Sequence, residues 1–310
     1  MMPRMRVVIT GATGMIGSAV ARALGARGDA VVALVRDERR GRERLGARAE
    51  LHGWPDPALA PPPAAALSGA DAVVHLLGEQ IAQRWTEQAR RAIRESRVAS
   101  TRALVTALAA LPEGERPRTL VSQSAVGYYG PSDDRPLDEF APAGNDFLAG
   151  VVEEWEAAAL AAEVLARVVR TRTGVVLAPS GGALAKMLPF FRLGIGGPVA
   201  GGRQFFSWIH LEDVVGAVLR LLDDAELDGA VNVTAPVPVT NAELSRELGH
   251  VLRRPAFLPV PGLAVRALYG AMASIVTTGQ RVLPARLERA GYEFRFPQLE
   301  PALRDVLGRG

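Results

Sequence analysis

Three observations in the sequence predict an α/β fold built on a doubly wound parallel sheet. A short β-branched run, Val7-Val8-Ile9, passes directly into glycines at a three-residue spacing, Gly11, Gly14 and Gly17, and then into a helical pattern. Further buried-strand runs alternate with helical stretches, the order that puts helices on both faces of a parallel sheet. Beyond about residue 240 the alternation stops, and helices broken by prolines predict a smaller, mostly helical C-terminal substrate domain.

Composition narrows the function classes. With 48% hydrophobic and 22% charged residues, the 310-residue chain reads as globular. The absence of cysteine excludes disulfides, thiolate metal sites and a cysteine nucleophile. Four scattered histidines (His52, His75, His210 and His250) lack metal-ligand spacing, so no metal is expected. The pI of 9.8 reflects arginine chemistry, since Lys186 is the single lysine and the net charge is only +3. Charges of both signs are interspersed, which argues against a nucleic-acid partner. No apolar run is long enough to span a membrane, and no membrane partner is expected. Arg4 and Arg6 precede an apolar stretch much as in a signal peptide, but the glycine spacing and Arg22 and Arg27 favour a folded first unit and a cytoplasmic protein. A small-molecule substrate is expected, and a homodimer is compatible with the sequence.

Gly11 permits the tight turn off the first strand, Gly14 lets backbone approach a pyrophosphate, and Gly17 lets the helix pack close to the strand. Thr13, Met15 and Ile16 complete the turn, whose free N–H groups and positive helix end attract an anion. The plain alternative is a structural turn. Residues 18–27 continue the helix, and Gly28-Asp29 turns into a second strand at 30–35. The residue after this strand meets the adenosine ribose in such folds, where an acid binds a free 2′-hydroxyl and an arginine suits a 2′-phosphate. Arg36 holds that place, with Asp37 behind it, and favours NADP(H) over NAD unless it is simply a solvated surface arginine.

Residues 41–67 read as mixed, with a short strand at 49–52 and otherwise loop. The core strand at 71–77 ends in His75-Leu76-Leu77-Gly78 at the carboxyl edge, where ligands bind; His75 itself reads as a buried, hydrogen-bonded strand residue. A long charged helix over 86–111 carries Arg97, whose spacing alone suggests a solvated face. The strand at 119–121 runs into Ser122-Gln123-Ser124-Ala125-Val126-Gly127-Tyr128-Tyr129-Gly130, whose hydroxyls either face a nicotinamide or cap a tight turn. A helix over 146–162 carries Trp155 and Glu156, and 168–176 resumes a strand. Residues 180–202, glycine-rich around Lys186, predict a substrate lid or a plain surface excursion. Helices at 212–222 and 241–252 flank a strand at 231–233; a helix at 262–275, a strand-like stretch at 292–296 and a helix at 299–307 follow.

Together, Thr10 to Gly17, Ser124 to Gly130, Ser207 to Asp213 and Val231-Asn232 resemble the extended, atypical short-chain dehydrogenase/reductase superfamily. Ser96-Arg97-Val98, Gly127-Tyr128-Tyr129-Gly130, Trp155-Glu156, Arg172-Thr173-Gly174 and Gln280-Arg281-Val282-Leu283-Pro284 are similar, more closely, to the NAD(P)-dependent epimerase-family group with a distinctive C-terminal domain. The resemblance covers nearly the whole chain. It implies a Rossmann domain that binds NADP(H), with the glycine turn, Arg36, Leu76 and Leu77 around the adenosine half and Arg97 approaching the cofactor phosphates. Residues 1–179 and 207–236 would form that domain, and 180–206 with 237–310 the smaller substrate domain. That group more often has Asn-Leu-Ala-Gly at the strand end, which leaves the role of His75 open.

In the superfamily a tyrosine and a lysine four residues later supply the proton relay, and a serine or threonine orients the substrate carbonyl. Here Tyr128, Tyr129, Tyr269 and Tyr292 are followed at that spacing by Ser132, Asp133, Ala273 and Phe296. Alignment on Glu156 puts Leu148 and Val152 at the two positions, so only Ser124 of the trio remains. Two readings stay open. One is an NADP-dependent oxidoreductase or epimerase on a small carbonyl or sugar-like substrate, with Ser124 and Tyr128 as candidate catalytic residues. The other is a non-catalytic NADP(H)-binding protein that presents a surface to a partner.

Overall fold

The computed structural model describes residues 5–132 and 134–309, so Arg4 and Asp133 lie outside it. Seven strands form one sheet: β1 (Arg6–Thr10), β2 (Ala30–Val35), β3 (Glu50–Gly53), β4 (Ala72–His75), β5 (Thr119–Ala125), β7 (Arg167–Thr173) and β11 (Gly229–Val233). Their order is β11-β7-β5-β4-β1-β2-β3, with every pairing parallel. The strand order reverses between β1 and β4, which opens a crevice beyond their carboxyl ends, the usual ligand position in such sheets. The central strands are buried on both faces, and Val7, Val8, Ile9, Val73 and Val74 are wholly inaccessible. Burial from both sides explains why they read as continuous apolar runs.

Helices α1 (Met15–Arg27) and α7 (Leu211–Asp223) cover one face; α4 (Glu87–Ala110) and α5 (Phe147–Leu160) cover the other. In α7, Val214, Ala217, Val218 and Leu221 recur at helical spacing and bury against Val231 and Val233. Two short helices, α2 (Glu38–Leu45) and α3 (Ala64–Leu67), occupy the stretch expected to be largely loop. Polar and arginine-rich as it is, α2 starts because Asp37 accepts the Arg40 N–H at 3.0 Å and caps it.

The strand expected over 168–176 is two strands. At Gly174 the chain leaves the main sheet, and β8 (Val175–Leu177) pairs instead with β10 (Trp208–His210). A Cβ at Gly174 would stand 2.7 Å from the Ser207 carbonyl oxygen, so the crossing requires glycine. The strand-like stretch at 292–296 forms no strand. The buried Asp213 carboxylate accepts the N–H groups of Arg295 and Phe296 at 2.7 and 2.9 Å, donors that a ladder would otherwise use. The helix expected over 262–275 breaks at Gly270, which has φ of 62°, into α9 (Gly262–Tyr269) and α10 (Ser274–Thr277).

The glycine-rich segment after β8 contains a real helix, α6 (Gly182–Arg192). It packs with α8 (Asn241–Leu252) and α12 (Leu299–Val306) around Leu184, Leu188, Trp208, Leu248 and Leu303. A short pair, β9 (Phe205–Phe206) with β12 (Val239–Thr240), borders this cluster. A parallel pair of β6 (Pro136–Leu137) with β13 (Arg281–Val282), followed by α11 (Ala285–Arg289), ties the C-terminal part to the sheet edge. The ties run over the carboxyl ends: Ser132 N–H donates to the Gly279 carbonyl, Gln280 Nε2 to that of Val126, and Asn232 Nδ2 to that of Leu283, each at 2.9 Å.

Candidate active site

The turn after β1 is built by two of its glycines and left open by the third. Gly11 has φ of +65°, and a Cβ there would lie 2.7 Å from the Leu76 carbonyl oxygen. A Cβ on Gly17 would fall 2.3 Å from the Gly11 oxygen, so α1 can start this close to β1 only on glycine. At Gly14 a Cβ would meet only that same oxygen, at 3.1 Å, and Gly14 is exposed. Its missing side chain leaves outward space at the head of α1. No side chain caps α1 and no acid stands in its first turn, whereas Thr86, Asp146 and Thr240 cap α4, α5 and α8. An uncapped helix start beside an open glycine is a cradle for an anion. Thr13, Met15 and Ile16 are half-buried around it, with the Met15 sulfur facing Gly181 and Gly182 at the start of α6.

Arg36 follows β2 and is exposed, while Asp37 turns back to cap α2. Leu76 and Leu77, just past β4, are half-buried and pack into opposite layers, Leu76 towards α1 and Leu77 towards α4. Arg97 departs from the solvated-face reading: it is 8% exposed, and burial lowers its pKa to about 10. Its guanidinium donates to the carbonyls of Ile93 and Glu79, both at 3.0 Å, and lies 5.3 Å from the Trp155 ring centre. It braces the loop after Leu77 from beneath.

His75 is fully buried, and its pKa is lowered to about 3 by that burial. Thr101 donates to the Arg97 carbonyl at 2.6 Å, so its oxygen accepts both Trp155 Nε1–H and His75 Nε2–H at 3.0 Å. Thr10 accepts Leu76 N–H at 3.0 Å and donates to His75 Nδ1 at 2.9 Å. The network therefore assigns a neutral, Nε2-protonated His75 that pins β1, β4, α4 and α5 together.

At the end of β5, Ser124 does not offer its hydroxyl to the crevice. It is 1% exposed and donates to Glu156 Oε1 at 2.6 Å. Arg172 binds both oxygens of that carboxylate, at 2.8 and 2.9 Å, and Arg170 adds a bond at 2.9 Å. Burial pulls the Arg172 pKa down, but its bonds to Glu156 outweigh this and hold it above the ordinary range. Arg172 also donates to Tyr129, whose hydroxyl reaches Asn232 Oδ1 at 2.7 Å and whose pKa burial raises to about 12. The Arg172 guanidinium lies 3.4 Å from the ring centre of half-buried Tyr128, which stands edge-on to Tyr129. Among the described residues the Tyr128 hydroxyl has no hydrogen-bond partner. Sequence reasoning missed Arg170, Tyr129 and Asn232 as members of this network. Arginines two apart on one face of a central strand were the available signal, because such a strand can hold them only if they are paired. Leu148 and Val152 stand beside the turn carrying Tyr128, 3.7 and 3.9 Å from a Cβ built on Gly127.

The model of the NAD dependent epimerase/dehydratase family matches residues 7–234, and a domain of unknown function (DUF1731) matches 260–306. The chain is 40% identical over 311 aligned positions to the chloroplastic SDR39U1 homolog of Arabidopsis thaliana, an epimerase family protein, covering 98% of this chain and 87% of that one. It is 38% identical to human SDR39U1, with 98% and 100% covered. The crystal structure of human SDR39U1 (isoform 2) with NADPH superposes with a TM-score of 0.86 at 36% identity, covering 98% and 99% of the two chains. UDP-glucuronic acid 4-epimerase from Bacillus cereus, in complex with UDP-glucuronic acid and NAD, shares the fold with a TM-score of 0.77 at 15% identity, covering 98% of each chain. A glycine turn at the switch point, a matching family model and full-length relatives agree, and the chain belongs to the NAD dependent epimerase/dehydratase family.

Proposed function

We propose that the chain binds NADP(H) at the glycine turn and reduces a small carbonyl or sugar-like substrate at the carboxyl end of β5. The observation that carries the nucleotide half is the uncapped start of α1 beside Gly14, with Arg36 exposed past β2. Met15, Ile16 and Gly17 would present N–H groups to the pyrophosphate, and Arg36 would pair with the 2′-phosphate. The NADPH in the human relative's structure supports the same choice.

The cofactor, when bound, supplies a hydride. The chain must then deliver a proton to the carbonyl oxygen, and Tyr128 is the hydroxyl suited to this. Its ring is held by Arg172 and Tyr129, and among the described residues its oxygen is committed to no other group. Ser124 is a positioning residue: it fixes Glu156, Glu156 fixes Arg172, and Arg172 fixes the Tyr128 ring.

The apolar wall of Leu148 and Val152, where enzymes of this type keep their relay, favours a second reading. In that reading the protein binds NADP(H) without turnover. Titration of NADPH, followed by a panel of aldehydes, ketones and nucleotide sugars monitored by nicotinamide absorbance, separates the two. Turnover lowered by Tyr128→Phe supports reduction, and binding without turnover across the panel supports the second reading. Failure to bind NADPH sinks both.

A further inference from the structure

Large apolar side chains reach the surface mainly in one place. Ten of the fourteen exposed ones among the described residues fall within residues 190–195 and 257–276. Leu193, Ile195, Phe257, Leu258, Leu263 and Leu268 are exposed by 74, 51, 75, 43, 82 and 65%. The two segments are laced together. Val260 N–H donates to the Pro198 carbonyl at 2.8 Å, Ala200 N–H to that of Val260 at 3.0 Å, and Gly197 lies against the Leu258 backbone. A patch of this kind on a globular chain marks an interaction surface.

Charge says what covers it. No aspartate or glutamate occurs from residue 164 to 211 or from 248 to 287, although the chain has 33 acids. Arg192, Arg253, Arg254 and Arg266 are exposed within these segments, and none is ion-paired among the described residues. Beside the apolar ridge, the unpaired Arg253 and Arg254 line an open groove of about 820 Å³ with Phe257, together with Arg246 and Arg304, which are ion-paired to Glu247 and Glu300. Arg253 holds a left-handed backbone, φ 55°, at the end of α8, where glycine is favoured. A second copy is a poor occupant, because a two-fold contact would bring the unpaired Arg192, Arg253, Arg254 and Arg266 of one copy against the same cationic face of the other.

We propose that this face docks onto an anionic phospholipid bilayer, the apolar ridge entering the headgroup boundary and the arginines meeting lipid phosphates. Exposed apolar residues flanked by cations are the pattern of interfacial attachment. No helix among the described residues is long and apolar enough to cross a membrane, so the chain lies on the bilayer rather than through it.

The test is vesicle flotation of the full chain saturated with NADPH, using phosphatidylcholine alone or mixed with phosphatidylglycerol. The chain is expected to co-float with the anionic vesicles only, and high salt should release it. Arg253→Gln with Arg254→Gln should lower partition roughly 30-fold, at about fivefold per arginine. Phe257→Ser with Leu263→Ser should abolish it, and both double variants should keep the wild-type NADPH affinity and circular dichroism. Three outcomes overturn the proposal: no co-flotation of the wild type, equal partition into neutral vesicles, or co-flotation unchanged in both double variants. A solution dimer that the apolar double variant dissociates also overturns it, since the face then joins two copies.

Discussion

Ser124 donates its hydroxyl to Glu156 across 2.6 Å, joining the end of β5 to an ion pair buried between α5 and β7. The residue in the place of a catalytic serine thus has a structural partner. Ser124→Ala should cost about 1.5–3 kcal/mol of stability, the range for a hydrogen bond to a charged group. Glu156→Ala, which leaves Arg172 buried and unpaired, should cost about 3–5 kcal/mol. Urea unfolding checks both. If Ser124→Ala abolished turnover at full stability, the serine would have to touch substrate.

Tyr128→Phe should lower any carbonyl reduction by about 10²–10⁴, the usual effect of losing a positioned proton donor. It removes no hydrogen bond among the described residues, so the melting temperature and NADPH affinity should stay near wild type. Steady-state kinetics beside a thermal melt decide it.

The two glycines at the head of α1 should respond differently to alanine. Gly17→Ala forces a Cβ to 2.3 Å from backbone and should destabilise the fold. Gly14→Ala meets backbone at 3.1 Å, so the chain should fold while NADPH binding weakens. Equal loss of stability in both would make the turn structural only.

Arg36 is exposed and free to meet a 2′-phosphate. Arg36→Ala should weaken NADPH binding by roughly tenfold to a hundredfold, matching about 1.5–3 kcal/mol for a charged contact, and leave NADH unchanged. Paired titrations of both nucleotides test this.

His75 predicts a pH dependence of stability. Its folded pKa of about 3 lies below the ordinary 6.5, so below pH 6.5 the unfolded chain binds a proton that the folded chain refuses. Its contribution is intact above 6.5 and is lost as pH falls, by about 3 kcal/mol two units lower. Burial lowers His210 in the same direction. Replacing His75 with asparagine should flatten the slope between these pH values, as read by denaturant unfolding at several pH settings.

Local chemistry made much of this legible in the sequence. The glycine spacing located the turn, and the second strand and α8 fall at the expected residues because turns and caps mark their ends. What escaped depends on distant partners. The break at Gly174 answers to Ser207, the lost strand at 292–296 answers to Asp213, and the Ser124 hydroxyl is claimed by Glu156, 32 residues on. Arg97 looked solvated because nothing in its helix shows that Glu79 and Trp155 enclose it.

The bare start of α1 makes the native state of this protein a function of its surroundings. Under the proposed function, a nucleotide whose phosphates sit on the Met15, Ile16 and Gly17 amides would bind the folded chain and not the unfolded one. By mass action a nucleotide at a hundred times its dissociation constant adds about 2.7 kcal/mol to stability. Abundance in the cell would then follow the nucleotide pool, with empty molecules opening more often and reaching proteases first.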